Sequence, residues 1–267
     1  TVTPTATVTP APSPTATPTA SPAVRPWVRD YDGDGSSDIA VFRGASGLWA
    51  IRGWSRIYFG GSGDEPVPGD YDGDGCCEPG IYRPGNGLWA VRGVSRFYFG
   101  VGEDQPVPGA YGGGGEVSAA IYRPGTGLWA VRGVSRFYFG GGSDVPIPGY
   151  YIRAAASAGV FRPGTGLWAV RGVSRFYYGG GEDEPVPGDY DGDGIWEAAV
   201  WREGTGLWAV RGWSRVYFGG GLDRPVPGFW RGEADMLGIY RPAAGLWAIR
   251  NTTRIYFGST GDLPVSR

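Results

Sequence analysis

GLWAIRG, residues 47–53, returns as GLWAVRG at 87–93, 127–133, 166–172 and 206–212, and as GLWAIRN at 245–251. The spacings are 40, 40, 39, 40 and 39 residues, and a period near 40 marks a propeller blade or a solenoid coil. Around the motif each copy offers four short β-like runs. In the second copy these are PVPGDY (66–71), GIYRP (80–84), GLWAVRG (87–93) and SRFYFG (95–100). Tight Gly or Pro turns separate them, so neighbours should pair antiparallel. One such sheet is too small to stand alone, whereas several arranged radially bury their faces against each other and shield most edges.

Six units fall within the roughly four to eight blades of closed propellers. The expected fold is therefore all-β: a six-bladed β-propeller of four-stranded blades over residues 27–267, with a solenoid as the alternative. The chain ends in GDLPVSR (261–267), the opening of a seventh unit broken off after Pro-Val. Residues 264–265 are placed to pair beside the first blade and close the ring, but PWVRDY (26–31) competes for that place.

Composition agrees. Among 267 residues there are 51 Gly and 23 Pro, with 15% aromatics, which suggests many turns between short strands. No stretch shows sustained helical periodicity, and none is long and apolar enough to span a membrane. The formal charge of −2 gives no electrostatic footprint for nucleic acid. His is absent, and all 24 basic residues are Arg. The commonest general acid/base and the commonest transition-metal ligand are both missing, so a non-enzymatic protein is expected; carboxylate-only chemistry alone survives the objection. The two cysteines, Cys76 and Cys77, are adjacent and staple no loop; they read as small loop residues, with a strained vicinal disulfide as the alternative.

Residues 1–22 contain only Thr, Pro, Ala, Ser and Val. Such a segment buries no core. Its prolines favour extended polyproline II at about 3.1 Å per residue, a span of roughly 70 Å. Thr/Ser- and Pro-rich stretches also read as O-glycosylated extracellular stalks, so 1–26 is assigned as a stalk or linker. Its candidate glycosylation sites are Thr1, Thr3, Thr5, Thr7, Thr9, Ser13, Thr15, Thr17, Thr19 and Ser21. The chain shows no signal peptide and starts at Thr1, so it reads as a processed or excerpted chain.

DYDGDGSSD (30–38) joins the first two strands of its unit, and near-copies stand at 70–78 and 189–197. Oxygen ligands at alternate positions, Gly where the backbone turns sharply and a closing acid form a calcium loop. The expected ligands are Asp30, Asp32, Asp34 and Asp38, with a carbonyl near Ser36; then Asp70, Asp72, Asp74 and Glu78; then Asp189, Asp191, Asp193 and Glu197. Hard oxygen donors without His or thiolate point to three Ca²⁺ ions, not zinc or copper, and Mg²⁺ dehydrates too reluctantly. The bland alternative is an acidic, Gly-rich turn without metal. These loops hold 12 of the 26 acids, and three divalent ions would take the formal charge from −2 to +4.

In YFGGSGDEPVPGDYDGDG (58–75) and YYGGGEDEPVPGDYDGDG (177–194) the chain resembles the FG-GAP propeller repeats of integrin α-subunits and their bacterial relatives. The resemblance covers 27–267 at the level of the repeat. It implies a β-propeller, calcium in inter-strand loops, an extracellular or cell-surface location and an adhesion or scaffold role. Six units stand here against the integrins' seven, so the blade number does not carry over. Three further loops, AYGGGGEVS (110–118), YYIRAAASA (150–158) and FWRGEADML (229–237), lack the alternating acids. A stabilising metal tolerates such losses better than a catalytic one, and the altered loops are candidate packing sites for a neighbouring subunit.

Three Arg recur in every unit, Arg43, Arg52 and Arg56 in the first. An Asp stands two residues before the Pro in all six, as Asp64, Asp104, Asp144, Asp183, Asp223 and Asp262. It persists where the acidic loop is lost, so it is expected to pair with a ladder Arg or to cap the inter-blade turn. Trp49 and its copies read as inter-blade packing. The sharper alternative is a lectin, with Trp, Tyr and Arg stacking on and hydrogen-bonding sugars at each blade interface; it requires exposed Trp. NTT (251–253) is an N-glycosylation sequon. The leading functional reading is a calcium-stabilised propeller on a glycosylated stalk. It would be a structural or adhesive subunit of a surface or extracellular filament or array, self-associating through tail and propeller surface, with glycans as the other partner class.

Overall fold

The computed structural model describes residues 29–153 and 155–266. The stalk assignment, with all ten of its candidate glycosylation hydroxyls, lies outside the described residues.

The described chain forms six four-stranded antiparallel sheets and no helix, the six-bladed propeller expected. In the second blade the strands run outward from the axis as Glu65–Pro66, Gly80–Arg83, Leu88–Val91 and Ser95–Tyr98. The register aligns Tyr82 with Trp89 and Phe97, and Arg83 with Leu88 and Tyr98. Strand alternation therefore gives each blade an aromatic face and an Ile/Ala face. Tyr82 and Trp89 pack against Ala119, Ile121 and Ala130 of the third blade. The same contact closes the circle, with Tyr240 and Trp247 of the sixth blade against Val41 and Ala50 of the first.

All six motif tryptophans are buried, at 0–1% exposure. Each indole N–H donates to a carbonyl at the end of its own blade, as Trp89 does to Phe99 at 2.9 Å. Such a ring can bury its large area because its one polar atom is satisfied. The Gly preceding Leu-Trp is equally constrained. Gly47 has φ +68°, and a Cβ there would collide with the carbonyl oxygen of Gly60; only Gly fits the position.

The inner strand shows why Pro-Val-Pro-Gly recurs. Val67 N–H donates to Gly80 O at 2.8 Å and Gly69 N–H to Glu78 O, so the alternate residues, Pro66 and Pro68, turn their backbone nitrogens to the axial channel. An N–H there would have no partner strand. Proline removes the donor and leaves an inner edge that cannot template another strand.

Ring closure uses the terminal fragment. Leu263–Pro264 pairs with Val41 and Phe42 as the innermost strand of the first blade. Val265 N–H donates to Ala40 O at 2.9 Å, Ala40 N–H to Ser266 Oγ at 2.9 Å and Tyr31 Oη–H to Val265 O at 2.8 Å. The competing expectation for 26–31 is corrected to that extent: described residues 29–31 form no strand and begin the loop. The inner place is occupied by the C-terminal segment, which matches the Asp-x-Pro-Val start of the other units.

Candidate metal centres

Each inner strand leads into a loop on one face of the ring. In the second loop Asp70 is 3% exposed. Its two carboxylate oxygens accept the N–H groups of Gly73 at 2.7 Å and Gly75 at 3.1 Å. Those two glycines lie at φ +80° and +96°, the left-handed backbone that wraps the loop around the carboxylate. Glu78 accepts Tyr71 N–H at 2.8 Å, closing the loop from the other side. Asp30 and Asp38, and Asp189 and Glu197, repeat the arrangement.

Three groups of carboxylate oxygens converge, each within 4.8 Å: Asp70, Asp72, Asp74 and Glu78; Asp30, Asp32 and Asp38; Asp189, Asp191 and Glu197. Asp34 and Asp193 stand outside these groups and accept the N–H of Ser36 and Ile195 at 2.8 and 2.7 Å. Burial, reinforced by the neighbouring carboxylates, pushes Asp38 up to about 6 and Glu78 and Glu197 up to about 7. Asp70 is raised for the same reasons. Carboxylates held this close without a cation oppose one another's ionisation. The donor set is all oxygen, in a chain without His, so these residues fit a hard divalent cation.

No disulfide joins Cys76 and Cys77. Cys77 is buried in the core cluster of the first blade, and burial pushes its thiol up to about 12. Cys76 is only partly buried in the loop, so the two stand as free thiols at the loop's end, the plainer of the two expectations.

How the loops meet leaves no signal in the residues themselves. The residue preceding the closing position of each loop donates its N–H to the carbonyl of the first residue of the loop before it. Cys77 donates to Asp30, Val117 to Asp70, Ala156 to Ala110, Trp196 to Tyr150, Asp235 to Asp189 and Ser37 to Phe229, at 2.6–3.1 Å. Six hydrogen bonds thus form a closed circle through acidic and non-acidic loops alike. The aromatic residue second in each loop is an anchor: Tyr71, Tyr111, Tyr151 and Tyr190 each donate their hydroxyl to an inner-strand carbonyl. The recurrence of Tyr there in five of six loops, with Trp230 in the sixth, was the available clue.

The non-acidic loops need a correction of register. Gly149 bridges Ser157 and Gly228 bridges Met236, where Gly69 bridges Glu78. The fourth and sixth loops therefore close one residue earlier than the nine-residue alignment places them, which accounts for the two 39-residue spacings. Their apolar residues are used internally. Tyr150 and Tyr151 are buried, and both pack on Trp196 of the next loop; Ile152 remains exposed. The fourth loop thus covers its neighbour within the ring.

The recurrent Asp does both things expected of it. In every blade it takes a ladder Arg bidentately, as Asp64 takes Arg83 Nε at 2.6 Å and Nη2 at 2.9 Å. Asp64 Oδ2 also accepts Gly61 N–H from the inter-blade turn. The second Arg ladder covers aromatics where they are present: Arg132, Arg171 and Arg211 lie 4.0–4.1 Å over Phe97, Phe137 and Phe176 of the preceding blade. With the Trp ladder buried, sugar stacking on it has no surface to use.

Fold and loops together define a six-bladed β-propeller with three carboxylate clusters on one face. No protein family, curated protein or solved structure matches the chain. The likeness to FG-GAP repeats therefore rests on the loop sequences and the propeller fold.

Proposed function

We propose that the chain is a non-enzymatic extracellular structural or adhesive protein, a propeller rigidified by three Ca²⁺ ions and carried on an O-glycosylated Thr/Pro-rich stalk. The observation that carries this reading is the repeated loop. Three in-register loops bring carboxylates within 4.8 Å of one another, at positions where three sister loops keep the same hydrogen-bonded circle without them. A role in which half the copies are dispensable is mechanical support. Calcium relieves carboxylate repulsion at turns that already hold the right backbone. A rigid disc on an extended stalk suits a subunit of a surface or extracellular filament or array, with self-association through stalk and disc.

Calorimetric titration of chelator-treated protein with Ca²⁺ tests the metal reading; three sites are expected, and no heat with no thermal shift would refute it. Mass spectrometry of natural material before and after chemical O-deglycosylation tests the stalk. Hexose-spaced mass on residues 1–22 is expected, and a bare mass would reduce the segment to a linker.

A further inference from the structure

The outermost strand reads Ser-Arg-x-Tyr or Thr-Arg-x-Tyr in all six blades. The intervening residue packs on the motif Trp and varies: Ile57, Phe97, Phe137, Phe176, Val216 and Ile255. The Tyr does not vary, yet it is 65–75% exposed in every blade. Packing predicts the opposite, with buried positions constrained and exposed ones free to drift. Six identical exposed tyrosines in a chain whose loops have diverged call for a use at the surface.

Their surroundings form a repeated bay. In the second blade Arg83, Leu88 and Tyr98 lie in one cross-strand row, and Arg96 shares the face of Tyr98. Arg83 is fixed by its bidentate bond to Asp64, whose side chain is fully buried, while its own side chain is 43% exposed. Nε and Nη2 are engaged by that carboxylate, and Nη1 is left to face solvent with its two protons. Arg96 forms no ion pair among the described residues and is exposed. Each bay therefore combines a pre-positioned guanidinium, an unmatched guanidinium and a solvent-facing phenol ring. Around the rim the Arg56 series adds six positive charges that form no ion pair among the described residues, with Glu103 and Glu182 as acidic neighbours of Arg123 and Arg202 in two bays. The chain's acids sit mainly in the loops and in the six paired Asp positions.

We propose that this rim is a six-fold binding surface for an acidic polysaccharide. The phenol ring stacks on a sugar face, and the guanidinium groups bind its carboxylate or sulfate. Single bays bind weakly, and six on one rigid disc give avidity for a long chain. The surface stands apart from the metal loops, so the inference does not rest on the calcium reading.

The test is affinity electrophoresis and titration of the full chain with polygalacturonate, heparin and neutral dextran, each in Ca²⁺ and in excess chelator. We expect binding to at least one polyanion that weakens with salt, survives chelation and is absent with dextran. Preference between the two polyanions separates uronate from sulfate recognition. Replacing alternate tyrosines (Y98S, Y177S and Y256S together) should weaken binding by about tenfold or more with an unchanged melting temperature. R96Q, R175Q and R254Q together should flatten the salt dependence. No binding to either polyanion at low salt, equal binding to dextran, full retention in both variants, or loss on chelation of a still-folded protein would each overturn the proposal.

Discussion

Removing residues 261–267 opens the ring. The segment buries Val265 to 2% exposure, a side chain whose burial is worth about 2 kcal/mol. It makes three neutral hydrogen bonds to residues 31 and 40, about 1 kcal/mol each. It also supplies Asp262, fully buried and bidentate to Arg43. Arg43 is 40% exposed and rehydrates when its partner goes, which holds that contribution to about 2 kcal/mol instead of the larger cost of a fully buried pair. Together the loss is about 7 kcal/mol, comparable with the whole stability of many domains, about 5–15 kcal/mol. Urea unfolding followed by Trp fluorescence reads it, since every motif indole is buried. The truncated protein should be largely unfolded or should melt in more than one step. Asp262→Ala, which keeps the strand, should fold and lose about 2–3 kcal/mol. A truncated protein with a single transition within about 2 kcal/mol of the parent would refute closure as a main source of stability.

Chelation should lower the melting temperature. Three sites filled a hundredfold above Kd contribute about 8 kcal/mol, a shift on the order of 20 °C in a domain of this size; an unchanged Tm sinks calcium as a stabiliser. In the metal-free protein Asp38, near 6, and Glu78 and Glu197, near 7, hold protons more tightly folded than unfolded, where carboxyls titrate at about 4. That contribution is complete below about pH 4 and is lost as pH rises to about 7. Metal-free stability should fall across this window, and the triple variant D38N/E78Q/E197Q should remove the fall; an identical pH profile in the variant contradicts the assignment. Trp129→Ala, at 0% exposure, should cost about 3–5 kcal/mol. Trp213→Ala, 59% exposed, should stay within about 0.5 kcal/mol; similar losses from both would contradict the buried ladder.

The architecture was legible because each structural requirement repeats six times. Gly47, Trp49 and Asp64 recur since each meets a constraint that every blade shares: a backbone collision, a buried indole and a buried ion pair. The acidic loops were legible from alternation alone, and the structure brings ten of the twelve acids into clusters. What stayed hidden depends on relations between blades. The circle of loop hydrogen bonds joins backbone groups, which leave no trace in side-chain identity. The two 39-residue spacings showed that a residue was missing from two units, but its place in the fourth and sixth loops was hidden because Ala-rich and mixed segments offer no fixed residue to align. The fate of Trp was an open choice between packing and recognition, since an aromatic at a strand position is compatible with either face until the register is known.

The C-terminal strand that closes the ring also changes what counts as an end. Ser266 and Arg29 meet where, in every other blade, a single inner strand runs on into its loop: Val265 takes the place of Val67, and Tyr31 that of Tyr71. The first blade is assembled from both extremities of the described chain and otherwise matches its neighbours. A chain joined across that seam and opened instead at an exposed inter-blade turn, such as Gly141–Gly142, would have the same six sheets with a different blade as its keystone. The fold is cyclic in its contacts, and the numbering of its blades records only where the seam between the two chain segments falls.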